Sequence, residues 1–329
     1  MEADFYKIAE DLAGGPVDQL IPCRSGRNSR VYKVECGNGT FALKSYPPKA
    51  SDPRDRFGTE IKTLKFYEAN CNPHTPRLLA VDIPRGVALM EWIDGCLVNV
   101  PVTDDIDQAI DFIARTHAAE TEGGEAFGLA TEPCLCGADL DRHLVLRLEK
   151  FSSVAQQEPE LNGFLIHELP MALESARNHA HGTTFATQLP RLKQSLIPAD
   201  FGFHNAIKTA SGGVYFIDFE YFGWDDPVRL AADFLLHPGM TLDEKNQNRF
   251  RRGMVDIFQA DDEEFEQRLL QLSPLYGIRW ALILLNEFLP DRWQARVFAG
   301  ETASWKAIKT EQLEKARIAL DKVMACVKR

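Results

Sequence analysis

Residues 29–46, SRVYKVECGNGTFALKSY, alternate apolar and polar positions on either side of Gly37-Asn38-Gly39. A period of two is the signature of an extended chain with one buried face, and glycine and asparagine suit a tight turn, so the stretch predicts two antiparallel strands. In SDPRDRFGTEIKTLKFYEAN, residues 51–70, turn and cap residues give way to Phe57, Ile61 and Leu64 at helical spacing, which predicts one helix after the hairpin. RLLAVDI and VALMEWI, flanking Pro84-Arg85-Gly86, predict another strand pair. The first 95 residues thus read as a small sheet with one helix.

From Thr103 onward the period lengthens. DDIDQAIDFIARTHAAE, DRHLVLRLEKFSSV, LPMALESARNHA and LPRLKQSL each place apolar residues three and four apart, and each predicts a helix. A brief β interruption is predicted at 205–222, where NAIKTASGGVYFIDFEYF turns around Ser211-Gly212-Gly213. The expected architecture is α+β: a β-rich N-terminal lobe at 1–95 and a larger, mostly helical lobe at 96–329. The acidic run DDEEFE at 261–266 reads as a solvated helix start, where acids suit the dipole.

Composition narrows the function. A chain of 329 residues with 45% hydrophobic content can bury a sizeable core, and its net charge of −11 argues against a nucleic-acid partner held by phosphate neutralisation. That acidity suits solubility or a cationic small substrate. The seven cysteines are odd in number and lack paired CxxC spacing, and Cys134-Leu-Cys136 alone makes no ligand set, so a reducing, cytoplasmic setting is expected. MEADFYKIAEDLAGG lacks the basic and apolar regions of a signal peptide, and ALILLNEFL is cut by Asn286 and Glu287, so no membrane partner is expected.

The chemistry concentrates in three places. IPADFGFHNAI, residues 197–207, sets Asp200 and Asn205 five apart inside an apolar run, and thirteen residues later Asp218 interrupts another such run in YFIDFEYFGWDD. Taken alone, an Asp-x4-Asn fits an Asx turn or a helix cap. Together, an acid able to take a hydroxyl proton and two oxygen ligands for Mg²⁺ make the catalytic half of a phosphoryl-transfer site. Lys44 in FALK and Glu60 on the following helix supply a cation and the carboxylate that holds it. Residues 24–29, between strands one and two, would cover the phosphates, with Ser25 and Arg27 as contacts, although a single glycine makes a weak phosphate loop.

These residues resemble the aminoglycoside phosphotransferase and choline kinase-like family, which has the bilobal protein-kinase fold. The resemblance rests on FALK, Glu60, ALMEWIDG, IPADFGFHNAI and YFIDFEYFGWDDP. It implies that Asp200 is the catalytic base, that Asn205 and Asp218 bind magnesium, and that Lys44 with Glu60 binds the phosphates of ATP. The backbone of Glu91 and Ile93 would hold the adenine. The implied reaction is transfer of the γ-phosphate of ATP to a hydroxyl of a small metabolite: an amino sugar, amino alcohol or sugar-like acceptor. Two departures stand out: Pro198 where the family has a histidine two residues before the base, and Arg229 where it has an acid. A catalytically inactive nucleotide-binding module of the same fold is the alternative. A protein kinase would carry H-R-D, D-F-G and A-P-E signatures, and DFE stands at 218–220 instead. His179, His181 and His204 are expected to be solvated or hydrogen-bonded without metal, and Tyr276, Arg279, Trp280 and Phe288 to be core.

Overall fold

The computed structural model describes residues 2–23, 29–47, 54–182, 185–298 and 303–328. The chain opens with helix α1 (Glu2–Ala13), followed by strands β1 (Val17–Cys23), β2 (Arg30–Cys36) and β3 (Gly39–Ser45). The predicted hairpin is β2–β3, whose closing pair is Cys36↔Gly39. Helix α2 (Arg56–Ala69) leads to β4 (Leu78–Asp82) and β5 (Val87–Glu91), completing an antiparallel sheet in the order β1-β2-β3-β5-β4.

Alternation along β3 decides what each face of this sheet does. Leu43 points to a small apolar cluster with Val34, Val87 and Leu89, covered by Ile8 and Ala9 of α1. Lys44, its neighbour, faces the opposite side. The single helix expected in the first 95 residues is therefore two, because the sheet needs α1 to cover its apolar face. On α2 the predicted stripe holds only in part: Leu64 is buried as expected, but its buried companions are Arg56, Glu60, Thr63 and Tyr67, while Phe57 and Ile61 are half-buried. Asp55 starts this helix by accepting from the Gly58 N–H at 3.3 Å.

The remainder is mostly helical. Strand β6 (Cys96–Leu97) is followed by α3 (Thr103–Ala118), α4 (Gly137–Glu149), the short α5 (Ser152–Ala155) and α6 (Pro159–Gly163), and α7 (Leu169–Ala180). Next come β7 (Ser195–Ile197), β8 (Ala206–Lys208), β9 (Val214–Phe216) and β10 (Gly223–Asp225). Helices α8 (Pro227–Leu236), α9 (Glu244–Phe258), α10 (Phe265–Leu284), α11 (Pro290–Phe298) and α12 (Trp305–Val327) close the chain. The hairpin at 205–222 is β8–β9, joined through Gly212 at φ 92, a left-handed conformation that glycine adopts without a Cβ penalty.

LPRLKQSL is not a helix. Its middle is one 3₁₀ turn at Arg191–Lys193 with Leu192 exposed, and its end is β7, which pairs with β10. That pairing supplies backbone partners that a local helix would otherwise have to provide. The acidic run at 261–266 differs too: Asp262 is buried, with Lys193 at 2.8 Å and Arg268 at 2.6 Å. No helix among the described residues is long and apolar enough to cross a membrane.

Candidate active site

The inner face of the first sheet meets the β8–β9 hairpin through a buried cation. Lys44 is 6% exposed, and its Nζ lies 2.6 Å from Glu60 Oε2 and 2.6 Å from Asp218 Oδ1. Glu60 also accepts from the Tyr46 hydroxyl at 2.7 Å and from the Phe219 N–H at 3.4 Å. Burial works against the Lys44 charge, but the carboxylates of Asp218, Glu60 and Glu220 outweigh it and hold the ammonium above the ordinary lysine range.

Glu220 is a member that the sequence reading passed over. It is buried two residues after Asp218, and it forms an ion pair with Arg56, the first residue of α2, while Ser29 Oγ donates to it at 3.4 Å. Arg56 also donates to the Tyr221 hydroxyl. Burial and then the Asp218 charge push the Glu220 carboxyl up, with Lys44 and Arg56 pulling it back. Glu60, Asp218 and Glu220 bring carboxylate oxygens within 4.8 Å of one another, but the Lys44 ammonium already sits between Glu60 and Asp218, so the group is an ion cluster.

The second half of the site is the loop between β7 and β8. Asp200 and Asp218 both take left-handed backbone conformations, at φ 68 and φ 70, which aspartate tolerates better than most residues at a cost of order 1 kcal/mol. Asn205 Nδ2 donates to the Asp200 carbonyl at 3.0 Å, and the Ile217 N–H donates to the Asn205 carbonyl at 3.0 Å. Those two bonds tie Asp200 to Asn205, and Asn205 to the residue before Asp218. With its nitrogen engaged, Asn205 leaves Oδ1 for a cation, and Asp218 gives one oxygen to Lys44 and keeps the other. An amide oxygen and a carboxylate oxygen fit a hard ion such as Mg²⁺.

Other expected positions fall as follows. The Glu91 N–H donates to the Arg77 carbonyl at 2.9 Å, so it offers no donor to an adenine edge and its carbonyl is the group left; Ile93 is buried just beyond β5, and its N–H has no partner among the described residues. Ser25 and Arg27 lie outside the described residues. His204 is hydrogen-bonded, as expected, but to Asp200 itself. Tyr276, Phe288 and Trp280 are buried as expected, and Trp280 also packs edge-on against His237 and lines an apolar cavity of about 150 Å³ with Leu236, Pro274 and Val323. Arg279 is buried and binds Asp233 at 3.0 Å. Arg229, at the position expected to be acidic, is buried and donates to Asp225 at 2.7 Å and to the carbonyls of Thr131 and Glu132. Asp225 and Asp233 outweigh the burial that works against its charge.

A family model described as the phosphotransferase enzyme family matches residues 19–268. Among curated proteins no sequence match is found. The structure is similar to a choline kinase, LicA, from Streptococcus pneumoniae, at 16% identity and a TM-score of 0.57, covering 98% of this chain and 99% of that one. It is similar to a spectinomycin phosphotransferase solved with ADP and spectinomycin, at 10% identity and a TM-score of 0.61, covering 97% and 98%. A third similar structure is an aminoglycoside phosphotransferase, at 13% identity and a TM-score of 0.59, covering 100% and 99%. At such identities the likeness establishes the bilobal, protein-kinase-like fold.

Proposed function

We propose that this chain, which belongs to the phosphotransferase enzyme family, transfers the γ-phosphoryl group of ATP to a hydroxyl of a small metabolite. The observation that carries the reading is Lys44, a buried ammonium fixed 2.6 Å from both Glu60 and Asp218. A cation fixed in advance at the junction of sheet and hairpin is what a polyphosphate requires, because positioning and charge stabilisation do most of the work in phosphoryl transfer.

In this reading the nucleotide lies between a lobe of residues 1–95 and a lobe of residues 96–329. Lys44 meets the phosphates while Glu60 keeps it aimed, and the Glu91 carbonyl and Ile93 N–H take the adenine edge. Ser25 and Arg27 are assigned to cover the phosphates. Asn205 Oδ1 and the second oxygen of Asp218 would hold Mg²⁺, which offsets the phosphate charge when bound. Asp200, on its loop at φ 68, accepts the proton of the acceptor hydroxyl.

The acceptor is an amino sugar, amino alcohol or sugar-like molecule held by the helical region, and a cationic one suits a chain of net charge −11. A cytoplasmic place of action belongs to the same proposal. The test is an ATP-consumption screen against amino sugars, amino alcohols, sugars and nucleosides. Turnover with one class supports the reading. Tight Mg²⁺-dependent ATP binding with no transfer to any class would favour a nucleotide-binding module, and no ATP binding at all would end both.

A further inference from the structure

Asp200 has a carboxylate that is 38% exposed, on a loop where Asn205 fixes its backbone but not its side chain. Its side chain is fixed from another direction: His204 Nε2 lies 3.2 Å from Asp200 Oδ1. That ring is itself clamped. It stacks on His237 with centroids 3.7 Å apart and planes 5° apart, and His237 is held by the Gly239 N–H on its Nδ1 at 3.0 Å and by the edge of Trp280 at 4.4 Å. Gly202 closes the remaining side, since a Cβ there would come within 2.8 Å of both His204 Nδ1 and Met240 Sδ.

His204 Nδ1 is buried with no hydrogen-bond partner among the described residues, whereas Nε2 faces a carboxylate. A proton on Nδ1 would have no acceptor, so the arrangement favours the Nε2–H tautomer, with Nε2 donating to Oδ1. Asp200, His204 and His237 also bring ligand-type atoms within 4.8 Å of one another. A shared metal is disfavoured by the stack, because in-plane lone pairs of two parallel rings run side by side and do not converge on one ion.

We propose that His204 is a positioning residue for Asp200: it holds Oδ1 so that Oδ2 faces the acceptor hydroxyl, and its stack on His237, braced edge-on by Trp280, keeps it rigid. The inference rests on the phosphoryl-transfer reading above. In the step it serves, the acceptor oxygen bonds to the γ-phosphorus as the bond to the β–γ bridging oxygen breaks and ADP leaves. The hydroxyl proton goes to Oδ2, and His204 keeps its own proton throughout. Without His204 the carboxylate rotates freely about its last bond, and a misaimed base loses rate without losing nucleotide.

The experiment compares wild type, His204→Leu and His204→Gln, whose amide N–H reaches about as far as the imidazole Nε2. Mg²⁺-ATP binding is measured by calorimetry, γ-phosphate loss in single turnover with the acceptor or with water, and the His204 tautomer in wild type by ¹⁵N NMR. The expected result is a loss of about 10- to 100-fold in single-turnover rate for His204→Leu. ATP affinity should change by less than about twofold, His204→Gln should recover most of the rate, and the ring should show the Nε2–H tautomer. In an Asp200→Asn background, His204→Leu should cost nothing further. Equal rates for wild type and His204→Leu would overturn the inference, as would a His204→Gln protein that folds yet is as slow as His204→Leu, or an Nδ1–H tautomer in wild type. Failure of wild type to bind ATP would be a failure of the phosphoryl-transfer reading, and the tautomer measurement would still decide the positioning bond.

Discussion

The two halves of the candidate site are held in opposite ways. Around Lys44 the parts are buried and charged: Glu60, Glu220 and Arg56 are each under 5% exposed, and each has an ionic partner. Around Asp200 the parts are half-open and held by one amide, one imidazole and a stack of rings. Buried charges lock a geometry because any misplacement leaves an ion without a partner in a poor solvent, and that suits a fixed nucleotide. A half-open carboxylate can meet substrates that come and go, but it must be oriented by weaker contacts.

Asp200→Asn keeps shape and local hydrogen bonds but removes the carboxylate proposed as proton acceptor, so single-turnover transfer at saturating ATP should fall by about two to four orders of magnitude with Mg²⁺-ATP binding nearly intact. Equal rates in wild type and mutant would remove Asp200 from the chemistry. On the locked side, Arg56→Ala removes the ionic partner at Glu220 and breaks a buried ion pair, which costs about 3–5 kcal/mol, read as a lower denaturation midpoint in urea. A midpoint unchanged within error would mean that water replaces the arginine and that the cluster is not locked.

Lys44→Ala should weaken Mg²⁺-ATP by about tenfold or more, the worth of one charge-assisted contact, and should lower thermal stability because Glu60 and Asp218 lose their shared cation. Unchanged ATP affinity would misplace the nucleotide. The smallest effect lies beneath the Asp200 loop, where His117 faces Glu120 at 3.2 Å, Asp261 at 3.1 Å and the Ser195 hydroxyl at 3.2 Å, clamping α3 to β7. Its hydrogen bond to Glu120 outweighs burial and raises its pKa. A raised folded value means the stabilisation is fully present below the unfolded pKa near 6.5 and is lost as pH rises through the folded value. Stability should therefore fall by about 1 kcal/mol or less above pH 6.5, and His117→Gln should flatten that part of the profile.

The contrast also explains what the sequence made legible. Lys44, Glu60, Asp200, Asn205 and Asp218 could be found because each is a polar residue interrupting an apolar pattern or following one at a set spacing. Arg56 and Glu220 were hidden in plain sight: Arg56 and Glu60 are four apart on α2, but Phe57 and Ile61 suggested a buried stripe turned away from them, of which only Leu64 is shared. Charged residues form a buried stripe only when partners arrive from elsewhere, here from the β9–β10 connection. His237, just past the end of α8, reaches the Asp200 loop and is itself met by Trp280 of α10, and β7 takes its ladder partner from β10; no local window contains those contacts.

Whether Asp218 and Lys44 together frame a Mg²⁺-nucleotide site is decided by titrating ATP calorimetrically into wild type and Asp218→Asn, with and without Mg²⁺. Replacing an anionic ligand by an amide should remove most of the affinity gained on adding Mg²⁺ and change the metal-free affinity much less. If wild type and Asp218→Asn gain equally from Mg²⁺, the metal lies elsewhere and the account of the site is wrong.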